Sequence, residues 1–239
     1  DDAYLSKELV TIVKDMELES SLDDFIIKSF DNDVLRKKYE ELEFYALLKQ
    51  LVDAGDSLKN NKIDKQYITV KSLKALKKLI KDIGKYDILS IDLETTSVDP
   101  MKAEIVGISL SFKPDTGFYI PIVYPEKKKN NFGDDDLNVC LSLLKDILEN
   151  SKVRKIGQNI KYDSLIFSRF GINISGIYFD TMIAAHILNP SARSYKLDSL
   201  SLEYLNYTMV PIEDLIGRGK EQITMDLVPL DKVSYYASE

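Results

Sequence analysis

The spacing of apolar and polar positions changes character near residue 65. Before it, Asp33–Leu48 places Leu35, Tyr39, Leu42 and Ala46 close to one per helical turn, within a highly charged stretch, 1–53, that reads as helical. Residues 53–62 are polar and contain a glycine, so 54–65 is expected to be a linker between a helical N-terminal extension and a domain over 66–239. Beyond it, Gln66–Val70 predicts a strand. Lys71–Ile83 predicts an amphipathic helix, with Leu73, Leu76, Leu79, Ile80 and Ile83 on one stripe, lysines opposite and Gly84 as its stop. Strands follow at Ile88–Leu93, Glu104–Phe112 and Gly117–Ile122, and their short links predict an antiparallel meander. Then come a helix (135–148), a strand (153–156) and helices at 159–170, 181–188, 197–205 and 231–239. Strands first and alternation afterwards predict an α/β domain with a mixed sheet flanked by helices.

One strand breaks its own pattern. The stretch Asp87–Pro100 starts as an apolar, β-prone run and is then interrupted by Asp92 and Glu94. Side chains two apart on a strand share a face. The two carboxylates would therefore stand side by side, with Ile91 and Leu93 directed to the other layer. Adjacent, half-buried negative charges repel each other and lose hydration. No Lys or Arg in the run compensates them, which points to a divalent cation. The plainer alternative is a strand ending in solvated acids, and Asp-x-Glu alone does not separate the two.

Composition narrows the chemistry. The chain has 239 residues but one Cys (Cys140) and one His (His186). An internal disulfide and a zinc site of Cys and His ligands are thereby excluded, and a reducing, cytoplasmic compartment fits. His186 lies in the apolar helical pattern Met182–Leu188 and reads as a packed helix residue rather than a base. Hydrolysis would then have to run on carboxylates, Tyr or Lys. The formal net charge of −7 argues against a binder that relies on a strongly basic surface. It leaves room for a nucleic-acid enzyme whose acids are neutralised by metal ions. No apolar run approaches the ~20 residues that span a bilayer, and a monomer without a membrane partner is expected.

Two further constellations carry candidate chemistry. In Ile156–Asp163, Gly157 ends a strand, Asn159 stands at a helix N-cap, and Asn159 and Asp163 share one helical face four residues apart. Alone, this is a cap followed by a solvated Asp. In Leu230–Glu239, Asp231 reads as an N-cap and Tyr235 and Tyr236 fall in the following turns, which alone is an amphipathic helix with a packed aromatic.

Taken together and in order, Asp92-Leu-Glu94, Gly157–Asp163, Phe179-Asp-Thr-Met182, Ile187-Leu-Asn189, Leu197-Asp-Ser-Leu200, Gly217-Arg-Gly-Lys220 and Tyr236-Ala-Ser-Glu239 resemble the 3′→5′ proofreading exonuclease domain of bacterial DNA polymerase I (family A). Several motifs in register are far more specific than any one of them. Ala3–Ile12 and Met16–Glu19 resemble the tail of the 5′-nuclease domain that precedes it in such polymerases. The resemblance implies a ribonuclease-H-like fold, polymerase and 5′-nuclease domains in the same parent chain, and a four-acid site for two Mg²⁺ or Mn²⁺ ions with a catalytic tyrosine. Asp92, Glu94 and Asp163 match three of the acids, as metal ligands, and Tyr236 matches the tyrosine. The fourth acid would be residue 240, so cleavage by these residues alone is expected to be impaired. Gln158, Asn159 and Tyr162 match the block beside the third acid, Arg193 an arginine near the substrate strand, and Thr95 and Val98 the terminal-nucleotide pocket. Ile212 falls where a larger aromatic is expected.

The implied substrate is a single-stranded DNA 3′ end, held by backbone contacts and stacking with little base reading. Mg²⁺ and Mn²⁺ prefer carboxylate oxygens, which agrees with acids in place of His or Cys. In that scheme Asp92 would bridge the ions, Glu94 would bind one and hold the water, Asp163 would bind the second directly or through waters, and the Tyr236 hydroxyl would orient the water. Two rivals share parts of the pattern: a ribonuclease-D-like RNA 3′-exonuclease, and a catalytically inactive domain kept as a structural spacer.

Overall fold

The structure, a computed structural model, describes residues 1–17, 21–27, 29–42, 44, 47–48, 50–51 and 65–239. They form two compact units, Asp1–Asp56 and Ser57–Glu239. The expected linker falls almost wholly on 52–64, outside the described residues. In the first unit α1 spans Asp2–Val10 and α2 spans Asn32–Glu41. α2 begins where the Asp31 carboxylate accepts from the amides of Asp33 and Val34, at 3.0 and 3.1 Å, pairing two of the donors that a first turn leaves open. The helical periodicity expected to run on to Leu48 passes through 43, 45 and 46, which lie outside the described residues.

The second unit is built on a six-stranded mixed sheet. Its strands are β1 Gln66–Thr69, β2 Ile88–Thr95, β3 Ile105–Ser111, β4 Thr116–Pro121, β5 Arg154–Gly157 and β6 Ile177–Asp180, in the spatial order β1-β4-β3-β2-β5-β6. The expected meander is present, with β2–β3 and β3–β4 antiparallel. Strand β1 joins β4 in parallel, and β5 and β6 extend the β2 edge in parallel. Five of the strands match the sequence pattern to within a few residues. β6 does not come from that pattern: it has four residues, three of them exposed, and no buried alternate face to mark it.

The helices of this unit are α3 Leu73–Ile83, α4 Asp136–Leu148, α5 Ile160–Arg169, α6 Thr181–Leu188, α7 Leu197–Leu205, the short α8 Glu213–Ile216, and α9 Leu230–Ser238. The period-3.6 stripes become the core. Leu76, Leu79 and Ile83 of α3, Cys140, Leu144 and Leu148 of α4, and Ile166 and Phe167 of α5 pack with Leu89, Ile91, Leu93, Ile108, Leu110 and Ile120 of the sheet. A second, smaller cluster joins Val106 and Tyr119 of the sheet to Met225, Val228, Leu230 and Val233. Helix α9 therefore covers the face of the sheet opposite the main core. Alternation along β2 sends Leu89, Ile91 and Leu93 into the main core and Asp92 and Glu94 toward the α9 side.

Candidate active site

The acids of the pattern converge at the C-terminal end of β2. Leu93 lies between Asp92 and Glu94, and its amide donates to Asp163 Oδ1 at 3.1 Å. A helix residue 70 positions further along the chain is thus bonded to the strand segment that carries the other two carboxylates. Glu94 is 7% exposed and Asp163 2%, whereas Asp92 is open to solvent. Between Glu94 and Thr95 the pairing with β3 slips by one residue. Such a bulge bends a strand and re-aims its side chains.

Burial raises the carboxyl of Asp163 well above the usual range, and the charge of Asp92 adds to it. Glu94 is raised by burial and then by Asp92 and Asp163. Asp92 is raised by desolvation, because protein packs around its carboxyl although part of the residue still reaches solvent, against the pull of the Leu93 amide. Its open surface makes its shift the one most relieved by water. None of the ion pairs among the described residues involves these three acids. Their mutual effect on protonation is that of carboxylates sharing one site without a cation. No group of three or more His, Cys, Asp or Glu among the described residues closes around a point as a finished metal site would. The donor set is all hard oxygen and unneutralised, so it fits divalent ions in an open site that leaves positions for water and substrate.

Tyr236 stands on α9 across from β2. Burial first, then the charges of Glu94 and Asp92, push its phenol far up, so it is a neutral hydroxyl at physiological pH and no base. α9 is held close to the sheet by Ser234, whose hydroxyl pairs with that of Thr69, and by Gly117, where any side chain would meet the Ser238 carbonyl. The helix starts at Leu230 after Pro229, with no side-chain cap. The expected cap by Asp231 is therefore corrected: Asp231 lies inside the first turn, where its charge still favours the helix N-terminus.

The remaining candidates divide. The Tyr162 hydroxyl and Thr95 Oγ1 lie 2.7 Å apart, and both stand within hydrogen-bond reach of the Ser97 carbonyl, so that one hydroxyl donates to the other and the second donates to the carbonyl. These contacts fix the turn after β2, with Val98 95% exposed on it. Gln158 is held within the protein: its amide donates to Tyr195 O at 2.7 Å and its carbonyl accepts from the Thr181 hydroxyl. It thereby anchors the segment between α6 and α7, where Arg193 is exposed. Ile212 is 40% exposed, just before α8. His186 is exposed, with its ring edge-on to Tyr195 at 5.1 Å. The expectation that it packs inside the helix layer fails because α6 lies with its apolar Ile183 and Ile187 also outward.

Asn159 needs the largest correction. It stands at the N-cap position but in the left-handed region, φ 54°, and its side chain makes no cap bond. Asp180 does the capping. Its Oδ1 accepts from Asn159 N at 3.1 Å, Met182 N at 2.9 Å and Ile183 N at 3.2 Å, and its Oδ2 from Ile160 N at 2.9 Å. One carboxylate therefore closes the N-termini of α5, which carries Asp163, and of α6. Arg169 was also missed. It donates to Pro100 O at 2.9 Å and Ala103 O at 2.6 Å, and reaches Glu104 at 3.3 Å, clamping the far end of the β2–β3 turn. The signal available was its position two turns after Tyr162, on the same helical face.

With this geometry in view, comparison with known proteins is decisive. The family model described as 3′-5′ exonuclease, of the family A DNA polymerases, matches residues 67–239. The chain belongs to this family. It is 29% identical over 253 aligned residues to DNA polymerase I of Pseudomonas aeruginosa, covering 100% of the chain and 27% of that protein. It is 30% identical to DNA polymerase I of Borreliella burgdorferi, again over 100% of the chain and 28% of that protein. The chain thus spans about a quarter of the length of these relatives. Among solved structures, Escherichia coli RNase D superposes with a TM-score of 0.52 at 20% identity, over 72% of this chain and 41% of that one. Brucella melitensis NrnC does so with 0.51 at 18%, over 74% and 75%. These likenesses establish the fold: the ribonuclease-H-like arrangement of a mixed sheet flanked by helices, as expected.

Proposed function

We propose that this exonuclease domain removes nucleotides from the 3′ end of single-stranded DNA, as the proofreading part of a DNA polymerase I, with Asp92, Glu94 and Asp163 as cation ligands and Tyr236 as the residue that orients water. The single observation that carries the assignment is the Leu93 amide bound to Asp163 Oδ1 at 3.1 Å, which ties all three carboxylates to one strand end.

Divalent ions held by these carboxylates would lower the pKa of the attacking water, whose proton passes to solvent, and would stabilise charge on the attacking and the leaving oxygen. The chain's own residues do the rest. Glu94 and Asp163, buried and mutually repelling, are ready to exchange protons for cations, since ligands must be deprotonated to bind. Tyr236, held neutral, keeps its proton to donate and a lone pair to accept, and so aligns water rather than activating it. The water oxygen attacks the phosphorus of the terminal nucleotide as the bond from phosphorus to the neighbouring 3′-oxygen breaks. That 3′-oxygen takes a proton from solvent, and a nucleoside 5′-monophosphate leaves. Thr95, Tyr162 and the exposed Val98 form the wall against which the last nucleotide is held. Arg193 offers its guanidinium to the backbone, and Asn159 an exposed amide. The fourth acid at residue 240 and the neighbouring polymerase and 5′-nuclease domains belong to the same proposal.

Side-by-side digestion of single-stranded DNA and RNA by the full-length polypeptide with Mg²⁺ or Mn²⁺ tests it. Monophosphate release from DNA, abolished in Asp92→Ala, is expected. Equal or faster attack on RNA, or full activity in Asp92→Ala, would overturn it.

A further inference from the structure

The face of the sheet beneath Glu94 carries two buried hydroxyls that no bond accounts for. In the register of the meander, Asp92, Ser109 and Tyr119 form one row across β2, β3 and β4, and Glu94 pairs with Gly107 in the next. Residues two apart on a strand share a face, so these five lie on the side that α9 covers with Tyr236. Tyr119 is 0% exposed. Its ring leans out of its own row toward Gly107: a methyl group there would overlap the phenol oxygen and the ring carbons beside it. The hydroxyl therefore stands against the residue opposite Glu94. Among the described residues it has no hydrogen-bond partner, and neither has the Ser109 hydroxyl. Buried polar groups in native proteins are paired with few exceptions, and each exception calls for a physical reason. A second observation ties Tyr119 to the site: besides burial, the charge of Glu94 is what makes its phenol harder to ionise.

Given the hydrolytic function proposed above, on which this rests, we propose that Tyr119 is a positioning residue that donates its hydroxyl hydrogen bond to the Glu94 carboxylate when Glu94 holds a cation. A phenol reaching Glu94 along the same face of the sheet engages one carboxylate oxygen and leaves the other free for the ion. Gly107 is what makes room for it, since any larger residue at that point of β3 would displace the phenol. Ser109, one strand closer, is placed in the same row as Asp92 and has the same spare donor. Ligating carboxylates that are themselves hydrogen-bonded keep their orientation, and losing such a partner costs about 10–100-fold in metal affinity or activity.

Tyr119→Phe removes one oxygen and leaves the ring packed. In the full-length polypeptide without added cation, its melting temperature is expected to equal or exceed that of the parent. Its Mn²⁺ dissociation constant, by titration calorimetry, is expected to rise about tenfold, with a similar fall in 3′ hydrolysis of single-stranded DNA. Unchanged Mn²⁺ affinity and rate would overturn the proposal, and a lowered melting temperature with unchanged Mn²⁺ affinity would make Tyr119 merely structural. A parent that binds Mn²⁺ and cleaves DNA beside an indistinguishable variant removes this role alone. A parent that does neither removes the hydrolytic function together with it.

Discussion

Replacing Asp163 by Asn separates what the site does for catalysis from what it costs the fold. Asn keeps an Oδ1 to accept the Leu93 amide and occupies nearly the same volume, but it cannot carry the charge that faces Asp92 and Glu94. Two unit charges about 7 Å apart, a reasonable span for side chains converging on one strand end, interact by roughly 2 kcal/mol at an effective dielectric near 20. Removing that repulsion in the cation-free protein should stabilise it by about that amount, or roughly 4–8 °C in melting temperature for a unit of this size. The pH dependence follows from the direction of the shifts. Glu94 and Asp163 hold their protons to higher pH in the folded chain than in the unfolded one. Between the ordinary carboxylate range near pH 4 and their raised values, the folded state binds more protons, so stability falls as pH rises. The advantage of Asp163→Asn should therefore be largest at about pH 8 and shrink toward pH 4–5, where the parent's acids are already protonated. Saturating Mn²⁺ should reverse the order, because only the parent retains a full ligand set. Thermal melts of parent and variant across this range, with and without Mn²⁺, provide the assay. A variant less stable than the parent at pH 8 without cation would refute the placing of three repelling carboxylates in one site.

Two further outcomes follow from the supports of the site. Asp180→Ala leaves four amides at two helix starts without their acceptor; at roughly 1 kcal/mol per cap the melting temperature should drop by about 4–8 °C, and a drop under 1 °C in melts would deny Asp180 this role. Gly117→Ala pushes a methyl group against the Ser238 carbonyl, an overpacking that costs about 1–3 kcal/mol. Because α9 carries Tyr236, the turnover rate should fall more than substrate affinity does, and equal losses in a steady-state assay would contradict that.

Much of this was legible along the chain, for local reasons. Alternation and short links located the meander, and period-3.6 stripes located α3, α4 and α5, because those residues bury one face each. The pairing of Asp92 with Glu94 followed from the two-residue repeat of a strand. What could not be read locally was set by partners far away. Asn159 looked like a cap, yet the cap is Asp180, 21 positions later, and it holds Asn159 in a left-handed conformation that its own side chain does not stabilise. β6 has no apolar face to announce it, since it lies on the sheet edge with Ile177, Tyr178 and Phe179 exposed. His186 sits in an apolar run and is nevertheless outside, because α6 presents part of that run to the surface. The convergence of Asp163 on β2 depended on family resemblance, as no spacing rule links a helix to a strand 70 residues away.

The most direct measurement of the central claim is anomalous diffraction from crystals of the full-length polypeptide soaked in Mn²⁺. Peaks lying among Asp92, Glu94 and Asp163 at the end of β2, lost in Asp92→Ala, are the predicted result. Saturating Mn²⁺ that leaves no peak there, or places its ions elsewhere in the domain, would contradict the account.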